Sequence, residues 1–394
     1  VKRIATTSHF SVPGEVRKRR ANLELRKATI ARSATRMAGE VLTLAEALGR
    51  AGYATGHFGK WHLGSEPYSP LEQGFDVDIP HWSGGGPPGS YIAPWNFPKE
   101  SKFTARSPSE HLEDRMVQEA IAFMKQHKDR PFFLNYWAFS THTPLNAKRE
   151  LVDKYAEKVH RSNPQHNPVY AAMVESFDEA VGKLLDAVDE LGVAERTIIV
   201  FYSDNGGSTY AHSNGVPATS NAPLRGGKSS IYEGGIKVPA AVIWPGHIDP
   251  GSKSDAFLSS ADWYPTLLEM LEIEKTSGQL FDGVSQVPAF LGKSAPRSSI
   301  YSFFPHYTPR TGTIPATSIR KEHWKLIRFH HAGDKQEDRF ELYNLDDDIG
   351  ESKNLAEVYP DRVESLNNEI SSYLRNIGAL VPVPNANYKH AEDR

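Results

Sequence analysis

Residues 197–207 read TIIVFYSDNGG, a β-branched apolar run that ends in Ser203, Asp204, Asn205 and two glycines. Apolar side chains on both faces predict a strand in the interior of a parallel sheet. The polar residues fall just past its carboxyl end, where open α/β sheets gather ligands. The same grammar recurs on either side. PFFLNYWAF (131–139) predicts a buried, aromatic-rich strand leading into STHTPL (140–145). GYATGHFGKWHLG (52–64) runs from an extended segment into a glycine-rich loop, and VPAAVIW (238–244) predicts a further strand. Helical periods separate these runs. Leu42, Leu44, Ala45, Leu48 and Ala51 form one apolar stripe that Gly52 can end, and Val117–His127 forms a second. In Tyr170–Leu191 the residues Met173, Phe177, Val181, Leu184, Val188 and Leu191 recur at spacings of three and four. Asp262 is placed to cap a helix running through Leu271. This alternation predicts an α/β fold.

After Gly292 the character changes. SSIYSFF (298–304), TSIRKEHWKLIRF (317–329) and RFELYNL (339–345) predict antiparallel strands, and a helix is expected over Pro360–Ile377. The chain therefore divides into a large α/β domain, 1–292, and a smaller α+β domain, 293–394. Composition bounds the partners. Lys and Arg number 45 against 48 Asp and Glu among 394 residues, a net charge of −3 that lacks the basic excess of a nucleic-acid binder. No apolar run reaches the ~18 residues of a membrane span. There is no Cys, hence no disulfide, thiolate metal site or Cys nucleophile. The basic opening stretch, residues 1–36, lacks the apolar core of a signal peptide and reads as a transit peptide or as the start of a cut or processed chain.

Four clusters carry chemistry. In GKWHLG (59–64), Lys60 and His62 alternate in an extended loop, a pair suited to an anion or to a solvated surface loop. His142 stands just past a strand end. Asp204 and Asn205 offer hard oxygens to Ca²⁺ or Mg²⁺, or close an Asx turn. In LRGGKSSIYEGG (224–235), Arg225 and Lys228 flank paired glycines, as in an anion-holding loop or an exposed turn. SGGGPPGSYIAPWNFP (83–98) is a loop long enough to suggest a role of its own.

Together GYATGHFGKWHLG, HTPL, SDNGG, LRGGKSSIYEGGIKVP and ELYNLDDDIGESKNLAEVYPD…LVPVPNANY resemble the type I, formylglycine-dependent sulfatases, over about residues 40 to 390. The likeness is to arylsulfatase-like enzymes acting on sulfated sugars. It implies an alkaline-phosphatase-like fold and a hydrolase of sulfuric esters. By that resemblance Lys60 and Lys228 contact the sulfate, His62 hydrogen-bonds the nucleophile, and His142 assists protonation of the leaving group. Asp204 and Asn205 become two ligands of a single Ca²⁺ or Mg²⁺, and His306, in FPHY (304–307), a substrate contact. The resemblance also implies a sulfated carbohydrate or other sulfate ester as partner, and a periplasmic or extracellular location.

One motif departs from the family. Its nucleophile lies in Cys/Ser-x-Pro/Ala-x-Arg upstream of GKWHLG, whereas Arg32-Ser33-Ala34-Thr35-Arg36 puts Arg32 at that position and Ser33 out of register. The paired aspartates that complete the family's metal site are missing too. The expectation is a chain whose first strand, Asp pair and nucleophile motif lie upstream of Val1. The alternatives are a degenerate sulfatase that binds sulfated glycans without turnover, and a phosphatase or phosphodiesterase of the same superfamily.

Overall fold

A computed structural model describes residues 25–30, 36–37, 39, 41–160 and 162–389. Arg32–Thr35, the imitation of the nucleophile motif, lies outside the described residues, as does the basic stretch up to residue 24. The fold is α/β. Strands β1 (Ala54–Gly59), β2 (Val77–Ile79) and β3 (Phe132–Trp137) form a parallel sheet with β1 in the middle. Helix α1 (Leu44–Arg50) leads into β1; Thr43 and Glu46 close a capping box at its start, and the chain leaves through Gly52 at φ +89°. Helix α2 (Leu112–His127) begins five residues before the predicted Val117, because Leu112 and Met116 belong to its buried face. It packs between the sheet and α3 (Pro168–Glu190), whose start is capped by Asn167. Phe58, Tyr91, Leu112, Met116, Phe123, Phe139 and Met173 fill the core between them.

Three expectations are corrected. Strand β4 (Ile199–Tyr202) is not interior to a parallel sheet: it pairs antiparallel with β5 (Ala240–Ile243), Tyr202 opposite Ala240. Among the described residues β4 has that one strand neighbour, so Phe201 and Tyr202 remain exposed despite a sequence that reads as fully buried. For the same reason β3, paired on one side, is half-buried rather than buried, and Trp137 is exposed. Asp262 does not cap by its own side chain either. Ser259 opens the turn that leads into the helix Trp263–Met270, while Asp262 is fully buried, accepting from Ser259 N and Val284 N and pairing with Arg297.

The C-terminal strands follow the prediction. β6 (Ser299–Phe304), β7 (Ala316–Lys321), β8 (Trp324–Phe329) and β9 (Arg339–Asn344) form an antiparallel meander. The helix Pro360–Asn376 covers it through Leu366, Ile370 and Leu374. Among the described residues no helix is long and apolar enough to cross a membrane.

His57 and His111 are built into the core. His57 is wholly buried among Trp61, Phe75 and Trp137, at 5.2–5.4 Å between ring centres, and burial drives its pKa down to about 3. His111 stacks on Tyr91 at 5.9 Å and is pushed by burial down to about 4. Each is neutral in the fold but protonates near pH ~6.5 once unfolded. Their contribution to stability is therefore present above pH ~6.5 and is lost as pH falls toward 4 and 3, by about 1.4 kcal/mol per pH unit and group. Melting temperature should fall steadily from pH 7 to pH 4. His111→Phe, which retains a ring against Tyr91, should flatten that profile; an unchanged slope would discard the assignment.

Candidate active site

The site is assembled where β1, β3 and β4 end. Gly59 closes β1 opposite Trp137 at φ +112°, and a Cβ there would come within 2.0 Å of the Trp137 carbonyl oxygen. Only glycine permits that approach. The next residue, Lys60, donates its backbone N–H to the same carbonyl at 2.7 Å. Its ammonium reaches to 3.8 Å from Asp204 Oδ2. Burial lowers the Lys60 pKa; Lys228 pushes the same way and Asp204 opposes it.

The two glycine loops interlock. Gly206 N donates to Gly235 O at 3.1 Å, and Lys228 N donates to Gly207 O at 3.0 Å. Asn221 bridges the two loops: its Oδ1 accepts from Gly207 N at 2.9 Å, and its Nδ2 donates to Gly207 O and Gly226 O, each at 3.0 Å. Sequence reading passed over Asn221, since a lone Asn in ATSNAP carries no motif. Lys228 is thereby held beside Asp204, its pKa lowered by burial against the pull of that carboxylate.

His142 follows β3. Its Nδ1 lies 2.8 Å from the Thr143 carbonyl, which assigns the proton to Nδ1 and leaves Nε2 as the acceptor in the neutral ring. Burial first, then Lys228 and Lys60, hold its pKa below the ordinary value. The structure thus brings together Lys60, His142, Asp204 and Lys228: two ammonium groups and an imidazole around one exposed carboxylate. His62 joins them across the 83–90 loop, where it and His142 face the adjacent residues Gly85 and Gly86. Asn205 sits in a tight turn, its Nδ2 donating to Gly206 O at 2.9 Å and its carbonyl accepting from Ser203 Oγ at 2.9 Å. His306 comes from the C-terminal part of the chain. It follows β6, with its ring 5.7 Å from Phe304 and edge-on to it.

Such a cluster suits an oxyanion. Two ammonium groups can take up its oxygens, and an imidazole can exchange a proton with one of them. The described residues do not by themselves make a metal site. Among them no group of three or more His, Asp or Glu is placed to hold an ion, and Asp204 with Asn205 supplies two donors where Ca²⁺ takes six to eight.

The C-terminal sheet grips the loop that carries Lys228. The Arg225 guanidinium donates to Tyr343 Oη at 3.0 Å and to the Glu351 carbonyl at 2.7 Å, and lies 3.9 Å from the Tyr232 ring centre. Lys325, fully buried, donates to Glu233 Oε1 at 2.8 Å and lies 2.8 Å from Glu351 Oε1. Glu351 Oε2 in turn accepts from Glu233 N at 2.7 Å. The hydrogen bonds that tie Arg225 and Glu233 to Lys325 and Glu351 join residues 92 to 126 apart, beyond the reach of any local pattern.

Comparison with known proteins follows the same outline. A family model described as Sulfatase matches residues 26–273, and one described as N-sulphoglucosamine sulphohydrolase, C-terminal, matches residues 227–378. The N-acetylgalactosamine-6-sulfatase of Canis lupus familiaris is 32% identical over 271 residues, 63% of this chain and 48% of that protein. Arylsulfatase A of Homo sapiens is 34% identical over 293 residues, 68% of this chain and 55% of that protein. The chain spans about half the length of the curated relatives it matches. A crystal structure of Ps i-CgsB in complex with k-i-k-neocarrahexaose superposes with a TM-score of 0.72 at 25% identity, over 89% of this chain and 77% of that one.

Proposed function

The chain belongs to the sulfatase family, and from that premise we propose that it carries the anion-binding part of a hydrolase removing sulfate from sulfated carbohydrates. The observation that carries the reading is the convergence of Lys60, Lys228 and His142 around Asp204. Lys60 and Lys228 hold the sulfuryl oxygens. In its protonated form His142 gives the Nε2 proton to the sugar oxygen as the S–O bond breaks, its Nδ1–H held by the Thr143 carbonyl meanwhile. The lowered pKa of His142 makes its protonated form the stronger acid. His62 orients the attacking group. By family resemblance a divalent ion, with Asp204 and Asn205 among its ligands, and a formylglycine would complete the site.

A sugar ester is favoured because relatives are named for N-acetylgalactosamine-6-sulfate and a neighbour was solved with neocarrahexaose. His306 is proposed as a sugar contact from the C-terminal domain, in keeping with a division at 292/293 that sets the meander β6–β9 apart. A polysaccharide substrate places the protein in the periplasm or outside the cell. A second reading, binding without turnover, draws on the absence of Cys and on Arg32 at the nucleophile position.

The test uses protein made from the native gene, supplied with N-acetylgalactosamine 6-sulfate or 6-phosphate. Release of sulfate, with the phosphate ester left intact, is expected. Faster phosphate release would overturn the proposal, and saturable binding of the sulfated sugar with no sulfate released would establish the second reading.

A further inference from the structure

Three successive glycines, Gly84, Gly85 and Gly86, each press against an aromatic ring. A Cβ on Gly84 would come within 2.4 Å of the Trp82 indole, one on Gly85 within 2.7 Å of His62 Cε1, and one on Gly86 within 2.6 Å of His142 Nδ1. None of the three has the positive φ that by itself calls for glycine, whereas Gly89, further along the same loop, does at +95°. Space, not backbone conformation, is therefore what excludes a side chain. The loop is anchored where it makes these approaches. Trp82 Nε1 donates to Gly86 O at 2.8 Å. Before it, His81 Nδ1 lies 2.8 Å from the buried Asp78 Oδ2, with Glu66 at 3.4 Å on the other ring nitrogen. Beyond it, Tyr91, wholly buried, donates its hydroxyl to Phe139 O and its backbone N–H to Asn146 Oδ1 at 2.9 Å. A loop tethered at both ends, with three glycines in succession where it meets the rings, makes a rigid wall.

We infer that Gly85 and Gly86 are positioning residues, a backbone wall that fixes the imidazoles of His62 and His142 relative to each other at the oxyanion site. The inference rests on the proposed site but not on its turnover. An added methyl must push an imidazole or the wall itself, because a ring atom 2.6 Å away has no room to share. Proximity within a fraction of an ångström governs such sites, so displacement weakens anion binding without unfolding the chain.

The test compares Gly86→Ala with Gly182→Ala, which adds the same methyl to a helix where nothing lies within 4 Å. In ¹H–¹³C spectra of histidine-labelled protein at fixed pH, Gly86→Ala should move the Cε1–H signals of His142 and His62. Those of His57, in the core, and of His330, buried with its Nε2 2.7 Å from Thr317 Oγ1, should stay in place. Affinity for N-acetylgalactosamine 6-sulfate should fall at least tenfold in Gly86→Ala and stay unchanged in Gly182→Ala. Trp82→Phe, which removes the hydrogen bond to Gly86 O but keeps a ring, should shift the same two signals by less, and it supplies the answer if Gly86→Ala does not fold. Unmoved His62 and His142 signals in a folded variant would overturn the inference. A wild-type protein that ignores the sulfated sugar would overturn the proposed function instead, leaving the wall to be judged by the spectra alone.

Discussion

Replacing Lys228 by alanine should weaken binding of a sulfated sugar about 10- to 100-fold, the loss of one charge-assisted hydrogen bond worth about 1.5–3 kcal/mol. In protein that turns over, it should lower kcat by about 10²–10³, the usual effect of removing one group that meets charge developing in the transition state. The fold has little reason to change. Lys228 is tied into its loop by its backbone N–H to Gly207 O at 3.0 Å, and Asn221 holds the same loop from the other side. What is lost is the ammonium, one of two beside Asp204. With Lys60 alone left against that carboxylate at 3.8 Å, the site has less positive charge to offer an anion. Equilibrium titration and steady-state rates on wild type and variant check both numbers, and an unaltered melting temperature separates the effect from unfolding. Affinity within twofold of wild type would remove Lys228 from the site.

Lys325→Met should cost about 3–5 kcal/mol of stability, the range for breaking a buried ion pair on one side. Lys325 is wholly buried and is the cation between Glu233 and Glu351. Burial already pushes the Glu351 carboxyl up, with Lys325 as the main influence opposing it. Without the ammonium, Arg320 at 3.4 Å still faces Glu233, but the buried Glu351 carboxylate loses Lys325, so it must take up a proton or the sheet must open. At roughly 2–4 °C per kcal/mol for a protein of this size class, the melting temperature should drop by about 10 °C. Adding Glu351→Gln to Lys325→Met should recover part of the loss. The damage should also reach the site, since Glu233 begins the short helix that directly follows the Lys228 loop. A single variant as stable as wild type would show that the cluster is not under this charge balance.

Elements set by local chemistry were legible in the sequence. The stripe Met173, Phe177, Val181, Leu184 placed the long helix to within two residues at either end, and the strands of the C-terminal meander stand where their alternation put them. The local setting of the motif residues was legible in part: Lys60, His142 and Asp204 each follow a strand end, and Lys228 follows paired glycines. Pairing was not legible. TIIVFYS has the composition of an interior strand, yet composition records the propensity to be buried and not which neighbour does the burying. The same limit hid Asn221, whose three bonds join loops that are separate in sequence, and the Lys325 cluster, whose members lie on three segments. Asp262 misled for another reason: a cap residue and a buried ion-pair partner look alike until Arg297 is seen beside it.

The measurement that bears most directly on the account is calorimetric titration of the 394-residue chain with N-acetylgalactosamine 6-sulfate, alongside Lys60→Ala and Lys228→Ala. Saturable one-site binding to the wild type and at least a tenfold loss in each variant are expected. No binding by the folded wild type, or equal binding by all three proteins, would contradict that expectation.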